Sequence, residues 1–163
     1  MTETKYYQQY SDIWHQLVGQ EQAYLETQKK FLSSSSRVHF IRKALEKPSE
    51  RTTALKVIGY LTNEERQSLF DVLIKLASIG HSDIELVRQV ILLFDKRWLL
   101  DNIENYAESV LGDTDEEYRR LLELYIKIDD GLSQRLVMKA LRHPDMDIQE
   151  VGEDFEIYLK NRN

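Results

Sequence analysis

A pattern of about 32 residues recurs four times in this chain of 163 residues, and each copy opens with a turn-and-cap signal followed by a helix-forming run. The copies begin at Pro48, Ser82, Asp113 and Pro144. Another run with helical apolar periodicity precedes each copy, so the repeating unit is a helix, a short turn and a second helix. A fixed period of this length is typical of stacked helical repeats.

The repeat predicts an all-α fold in which four helical pairs form one domain, 1–163. The pairs occupy 33–62, 63–94, 95–128 and 129–163, and residues 1–32 form an N-terminal helical cap. No run of alternating apolar and polar residues is long enough to indicate a strand. The predicted helices are 37–47 and 50–61, 63–79 and 83–94, 96–111 and 115–128, and 132–143 and 145–160.

The helix boundaries follow from capping chemistry. Capping boxes, in which a hydroxyl and a Glu three residues later satisfy free backbone N–H groups, are predicted at Thr62, Ser82 and Thr114. Gly80 and Gly112 follow apolar-periodic runs, so each is predicted to end a helix in the left-handed conformation.

The second helix of every pair carries two apolar positions one turn apart. We expect these side chains to be buried between neighbouring units, because a single helix cannot cover its own apolar stripe. The positions are Val57 and Leu61, Val90 and Phe94, Leu122 and either Ile126 or Ile128, and Phe155 and Leu159.

The N-terminal segment does not match the repeat. It is rich in Gln, Tyr and Glu, and we interpret it as one or two helices that cover the end of the stack. Core packing of its aromatic cluster, Tyr6, Tyr7, Tyr10 and Trp14, is favoured over a ligand cage, and an exposed remnant would be a dimer seam. Farther along, Trp98 is either an exposed anchor or, with Leu99 and Leu100 beside it, a core residue.

Composition limits the class of protein. Apolar residues make up 42% and charged residues 31%, which is ordinary for a soluble globular chain. The absence of cysteine excludes disulfides, thiolate metal sites and a cysteine nucleophile. The first twenty residues lack the apolar run of a signal peptide, and no stretch is long and apolar enough to span a membrane. We therefore expect a cytoplasmic protein without membrane contact.

Charge is distributed unevenly around the net value of −6. Residues 33–62 hold six bases against two acids, and residues 95–129 hold five bases against ten acids. This asymmetry could orient a polar partner. The alternative is that these charges belong to solvated helix faces.

Three segments carry a resemblance to a known family. Residues 47–61, 83–88 and 143–151 resemble the second half of HEAT repeats, in which a turn containing Pro or Asp leads into a helix with a Val-Arg or similar pair. The resemblance covers 38–159 and implies an α-α superhelix of about four HEAT-like pairs. Tyr118-Arg119-Arg120 and Gly152-Glu153-Asp154 depart from the family pattern. HEAT-like families include scaffolds, phycobilin lyase subunits and DNA glycosylases, so the fold does not fix the function.

The sequence contains no recognisable catalytic, cofactor or metal motif. The only acid three residues before a histidine is Asp12 before His15, and it has no second copy to complete a metal site. His81 and His143 lie in turns, where bonding to nearby backbone is the simplest role. The run Ser33–Ser36 has no nucleophile elbow around it, and no Gly-rich phosphate loop occurs.

We therefore expect a non-catalytic adaptor that binds a protein partner through the polar, solvent-exposed positions of the second helices, with the chain itself a monomer or weak homodimer. The alternatives are an enzyme subunit of the bilin-lyase or glycosylase type, and a nucleic-acid binder that uses the basic residues of 37–56. The acidic balance of the chain argues against nucleic acid. The candidate contact residues are Arg51, Lys56, Tyr60, Arg88, Gln89, Arg120 and Lys127.

Overall fold

The computed structural model describes residues 3–112 and 114–162, and within these ranges every regular element is a helix. Asp113, with which the third repeat copy opens, lies outside the described residues. The prediction of an all-α fold is confirmed for the described part of the chain. The helices are α1 (Glu3–Leu32), α2 (Arg37–Leu45), α3 (Pro48–Ile58), α4 (Asn63–Gln67), α5 (Phe70–Ala77), α6 (Ile84–Ile91), α7 (Lys96–Glu108), α8 (Asp115–Ile128), α9 (Asp130–Leu141) and α10 (Met146–Arg162).

The chain divides into two compact units, Met1–Phe40 and Ile41–Asn163. The first unit consists mainly of α1, which continues for 30 residues without a break. After α1 the chain turns, and the Arg37 guanidinium donates a hydrogen bond to the Leu32 carbonyl at 2.6 Å. The role of this unit as a cap over the repeats stays a prediction.

The aromatic side chains of α1 are exposed, so the expectation that they pack in a core is wrong. Tyr6, Tyr7, Tyr10 and Trp14 all lie in solvent, and so do the aliphatic residues Ile13 and Leu17. The rings of Tyr6 and Tyr10 stack on each other with centroids 6.4 Å apart. The helix therefore keeps an apolar face that its own unit leaves uncovered.

In the second unit, helices that are near in sequence pack against one another. Helix α5 contacts α6, α7 and α8, helix α6 contacts α3, and α8, α9 and α10 contact each other. Helices α9 and α10 approach closely at Gly152, where an added Cβ would lie 3.0 Å from the backbone nitrogen of Leu141. This contact explains the buried glycine in α10.

The apolar positions predicted for the second helices form much of the core. Seven of the eight predicted positions were assigned to a single residue, and all seven are buried; at the eighth, in the third pair, the buried residue is Ile128, whereas Ile126 is only half-buried. Trp98 is half-buried in an aromatic cluster in which its ring lies 5.0 Å from that of Phe70 and 5.3 Å from that of Phe94. The core interpretation of Trp98 thus agrees with the structure better than the exposed anchor.

The predicted helix 63–79 is wrong, because the chain forms α4 and α5 with a turn between them. In a continuous helix the Ser68 carbonyl would accept a hydrogen bond from the Val72 N–H. Instead the Arg42 guanidinium donates to the Ser68 carbonyl, and the Val72 N–H donates to Leu69 at 3.1 Å. A long-range side-chain contact therefore accompanies a break that local periodicity cannot reveal.

Of the three predicted capping boxes, only the one at Thr62 forms with both of its hydrogen bonds. The helix expected to start with a cap at Ser82 is instead preceded by Asp83, whose N–H donates to His81 Nδ1 at 3.1 Å. At Thr114 the hydroxyl donates to the Glu117 carboxylate and makes no bond to the free backbone.

The prediction that Gly80 and Gly112 end helices in the left-handed conformation is also wrong, because no described glycine has a positive φ. Helices α5 and α7 end before Gly80 and Gly112, with right-handed residues at Ser78 and Ser109. The structure gives Gly80 a different reason to be glycine. Its N–H donates to Glu116 at 2.9 Å, and an added Cβ would meet the same carboxylate oxygen at 2.9 Å.

The buried position of Phe94 generates a stability prediction. Its ring contacts Phe70 at a centroid distance of 5.1 Å, so Phe94→Ala leaves a cavity and should lower the free energy of unfolding by about 3 to 5 kcal/mol. Urea denaturation followed by circular dichroism measures the loss. Exposed Ile157 on α10 provides the control, and a Phe94→Ala variant as stable as Ile157→Ala would contradict the assigned core.

Candidate protein-docking surface

The seven predicted contact residues do not form one surface. They lie on or beside three helices, α3, α6 and α8, and they fall into two groups that differ in whether the side chain pairs within the protein. Four of them are engaged in contacts within the protein: Arg51, Arg88, Arg120 and Lys127. The remaining three are exposed: Lys56, Tyr60 and Gln89.

Arg51 was expected in solvent, and the structure corrects this because the residue is only 9% exposed. Its Nε donates to the Leu45 carbonyl at 2.8 Å, and its Nη1 lies 3.9 Å from the Asp83 carboxylate. The neighbouring Thr52 hydroxyl also donates to Asp83, at 2.9 Å. Arg51 therefore joins the end of α2 to the turn before α6 and is unsuited to contact a partner.

Arg88 on α6 is likewise buried, with 8% exposure, and pairs with Glu123 on α8. Arg120 approaches the same carboxylate at 3.2 Å. Lys127 of α8 donates to Glu85 of α6 at 2.7 Å. The pairs Arg88–Glu123 and Lys127–Glu85 hold α6 and α8 together, so the expected solvent exposure of Arg88 is wrong for an electrostatic reason that only the neighbouring helix reveals.

The three exposed residues lie around the adjacent ends of α3 and α6. Lys56 and Tyr60 are one helical turn apart, and Tyr60 is 65% exposed. Leu93, 54% exposed, follows α6, and its Cδ1 would lie 3.8 Å from a Cβ placed on Gly59. The Leu93 side chain therefore reaches the backbone beside Tyr60. We name this region the α3–α6 surface; its residues are Lys56, Tyr60, Gln89, Leu92 and Leu93.

Sequence reasoning missed Leu92 and Leu93. The signal that could have found Leu93 is the repeat register, since it follows Tyr60 by the same 33 residues that separate Lys56 from Gln89. Leu92 and Leu93 are exposed because Ile91 and Phe94 supply the buried side chains of that turn.

The local positive charge of residues 33–62 is partly compensated by acids in the second unit. Arg42 pairs with Asp71 at 2.8 Å, Lys47 with Glu50 at 3.0 Å, and Arg51 faces Asp83. The hydrogen bond from Arg42 lowers the pKa of Asp71 below its usual value. Two of these acids come from beyond residue 62, so a count along the sequence overstates the basic character of this region.

A second concave region lies along α9 and the turn that follows it. This open groove of about 850 Å³ is lined by Tyr118, Met138 and Arg142, among others. Two of its cations, Arg135 and Lys139, are paired with Glu104 and Glu108 of α7. The groove offers an aromatic and apolar floor with basic edges, and sequence reasoning did not identify it.

The histidines of the turns bond nearby backbone, as predicted. His81 contacts the Leu76 carbonyl through Nε2 at 3.0 Å and accepts the Asp83 N–H through Nδ1. His143 Nδ1 accepts the Asp145 N–H at 3.1 Å in the same way. Across residues 3–112 and 114–162, no three His, Asp or Glu side chains cluster as metal ligands would, and no helix is long and apolar enough to cross a membrane.

The contrast between Arg51 and Lys56 can be tested by matched truncations. Arg51→Ala removes the buried donor to Leu45 and Asp83, so the free energy of unfolding should fall by about 1 to 3 kcal/mol. Lys56→Ala alters an exposed side chain and should change it by less than about 0.5 kcal/mol. Chemical denaturation measures both, and equal effects would refute the structural role of Arg51.

The ion pairs also predict a pH dependence. Hydrogen bonds from Arg42 and Lys127 lower the pKa of Asp71 and of Glu85 in the folded state. Their stabilising contribution is therefore present above the unfolded-state pKa of about 4 and is lost as the pH falls through the lowered folded-state values. The melting temperature should fall at acid pH, and the fall should be shallower in the Asp71→Asn, Glu85→Gln variant. An unchanged slope would contradict this assignment.

No family model matches the chain, and neither the curated proteins nor the solved structures gave a match.

Proposed function

We propose that this protein is a non-catalytic adaptor of the HEAT-repeat type, which docks a protein partner on the α3–α6 surface. The observation that carries the proposal is the pair of exposed apolar side chains, Tyr60 and Leu93, on adjacent helix ends. Tyrosine is one of the residues that carry most of the binding energy when a partner encloses them. The surrounding Lys56 and Gln89 supply the polar rim that such interfaces have.

The helix contacts support the HEAT-like interpretation. Second helices contact in sequence order, with α3 against α6, α6 ion-paired to α8, and α8 against α10. First helices do likewise: α5 contacts α7, and two ion pairs join α7 to α9. Contacts between neighbouring units are what a stack of α-α repeats requires. On this proposal the pairs form a superhelix.

Rigidity of the docking surface is the second support. Beneath it, Val57, Ile58, Val90 and Ile91 are buried, and Arg51 and Thr52 of α3 contact Asp83 at the start of α6. The two helix ends are therefore held in place before a partner arrives. Binding then costs little ordering entropy, which is the advantage of a pre-organised surface.

The chemistry of the surface indicates the partner. Lys56 has no ion-pair partner among the described residues, while Tyr60, Leu92 and Leu93 offer apolar area. A matching partner presents an apolar side chain with a carboxylate beside it. Such a contact combines apolar burial with an attraction that speeds association.

The competing functions have weaker support. Nucleic-acid binding needs a continuous surface of uncompensated bases, whereas Arg42, Lys47 and Arg51 already face acids of this chain. An enzyme subunit of the bilin-lyase or glycosylase type needs polar groups that converge in a pocket. The groove along α9 is open, and Arg135 and Lys139 on its edge are held by Glu104 and Glu108.

The adaptor proposal predicts a selective loss of binding. Proteins captured from native lysate by the wild type should be lost with Tyr60→Ala, Leu93→Ala, because removing two enclosed apolar side chains weakens an interface at least about thirtyfold. The matched control is Met146→Ala, Ile157→Ala, which removes two exposed apolar side chains from α10. Quantitative mass spectrometry compares the three samples.

Salt and charge provide a second readout. Lys56→Glu should slow association with the captured protein and reduce the salt dependence of its rate. Unchanged melting temperatures would show that the variants are folded. Retention of the same proteins by Tyr60→Ala, Leu93→Ala, or their equal loss in the α10 control, would exclude the α3–α6 surface as the docking site.

A further inference from the structure

The apolar residues of α1 follow a seven-residue pattern. If Tyr10, Leu17, Tyr24 and Phe31 are assigned to a positions, then Tyr6 and Ile13 fall at d positions. A stripe with a mean spacing of 3.5 residues stays in register with a second helix that supercoils around the first. At 30 residues, α1 holds about four heptads, or about 45 Å of helix.

The structure leaves most of this stripe open. The first five members along the chain are exposed, and only Phe31, at the end of the helix, is half-buried. Tyr7 and Trp14 flank the stripe at e positions and are also exposed. At about half exposure, a large apolar side chain offers roughly 100 Å². The seven exposed apolar residues at a, d and e positions of α1 thus present on the order of 700 Å², close to the roughly 800 Å² that each partner buries in a stable complex.

The a and d positions of α1 together form the seam of a possible helix pair. The two polar positions in this seam identify the partner. Gln20 and Thr27 occupy the remaining d positions and are exposed in the structure. In a parallel symmetric pair, each residue of the seam faces its own copy, so Gln20 meets Gln20. An amide carries both a donor and an acceptor and can bond to an identical amide. A second copy of α1 therefore satisfies the polar layer as well as the apolar ones.

An antiparallel pair of α1 helices does not satisfy the amide of Gln20. In that orientation each d position faces an a position, so Gln20 would meet Tyr10, Leu17, Tyr24 or Phe31, depending on register. An amide opposite an apolar side chain loses its hydrogen bonds to water without replacement, which is costly. The pattern of the seam thus selects the parallel orientation.

The flanking positions permit self-pairing. In a parallel pair the g position of one helix faces the e position five residues later in the other. These contacts are Gln9 with Trp14, Gln16 with Glu21, and Ala23 with Gln28. None of them brings two like charges together, so the pair carries no electrostatic penalty at its edges.

The charges of α1 also argue against a membrane surface as the occupant. A helix that lies on an anionic bilayer has a polar face rich in Lys and Arg. Here Asp12, Glu21 and Glu26 offset Lys29 and Lys30 along the helix. The helix lacks the basic face that such binding needs.

From these observations we propose that α1 is a dimerisation element, which pairs in parallel with α1 of a second copy of this chain through the seam Tyr6, Tyr10, Ile13, Leu17, Gln20 and Tyr24. The contact is isologous, so it closes into a two-fold dimer. It uses none of the residues of the α3–α6 surface and stands independently of the adaptor function. Each dimer would carry two copies of the second unit.

Oligomeric state tests the proposal directly. Size-exclusion chromatography with light scattering on the full chain at 1 to 100 μM should give the mass of a dimer. The variant Ile13→Glu, Leu17→Glu places charges in the seam and should elute as a monomer across that range. Its matched control, Gln8→Glu, Gln22→Glu, adds the same charge at f positions and should remain dimeric.

Single cysteines test the orientation, and the chain is suited to this because it contains none of its own. In a parallel pair the two copies of residue 27 face each other, so Thr27→Cys should form a disulfide-linked dimer on mild oxidation. Gln22→Cys, at an f position, should not. In any antiparallel register that keeps the seam in contact, the two copies of residue 27 are too far apart to join.

Each outcome decides the question. A wild type that is monomeric at 100 μM overturns the proposal, whether its α1 then binds another protein, vesicles of anionic lipid or the rest of its own chain. A dimer that survives Ile13→Glu, Leu17→Glu places the interface elsewhere and also overturns it. Cross-linking of Gln22→Cys but not Thr27→Cys contradicts the parallel seam. Melting temperatures of the second unit verify that the variants are folded.

Discussion

Burial of apolar stripes between neighbouring helices is the constraint on which the second unit depends. None of its helices has more than 17 residues, and α4 has only five, so isolated segments of this length would be marginal in water. They persist because residues such as Leu73, Val87, Ile103 and Leu121 are covered by adjacent helices. Ion pairs between helices two apart in the chain, such as α6 with α8 and α7 with α9, then favour one register of this packing over slipped alternatives.

Apolar burial stabilises the packing, and ion pairs set its register. This difference explains why arginines were the least predictable residues. An arginine on a helix otherwise rich in polar groups is ordinarily assigned to solvent. Arg51 and Arg88 instead direct their guanidinium groups toward acids some 32 and 35 residues away. The acid that pairs with each arginine lies in a later helical pair, and a local sequence window contains no information about it. The same limit hid the contact between Arg42 and Ser68 that accompanies the break between α4 and α5.

Sequence reasoning was more accurate for features that depend only on residues close together in the chain. The bounds of α8 agree with the prediction to the residue, and the predicted box at Thr62 forms with both of its hydrogen bonds. The buried positions of the second helices also follow from periodicity. The candidate surface was predicted only in part: Lys56, Tyr60 and Gln89 are exposed, but exposure of Leu93 depends on Phe94 taking the buried position beside it.

The two units differ in how far their helices cover apolar side chains. Helices of Ile41–Asn163 cover one another, whereas α1 keeps Tyr10, Ile13 and Leu17 in solvent. Propensity alone gives a long helix little stability, and most helical stability in proteins comes from packing of an apolar face. A partner that covers this face would therefore stabilise the helix as it binds. Association and helix stability are then coupled in α1, while the second unit remains folded through its own contacts.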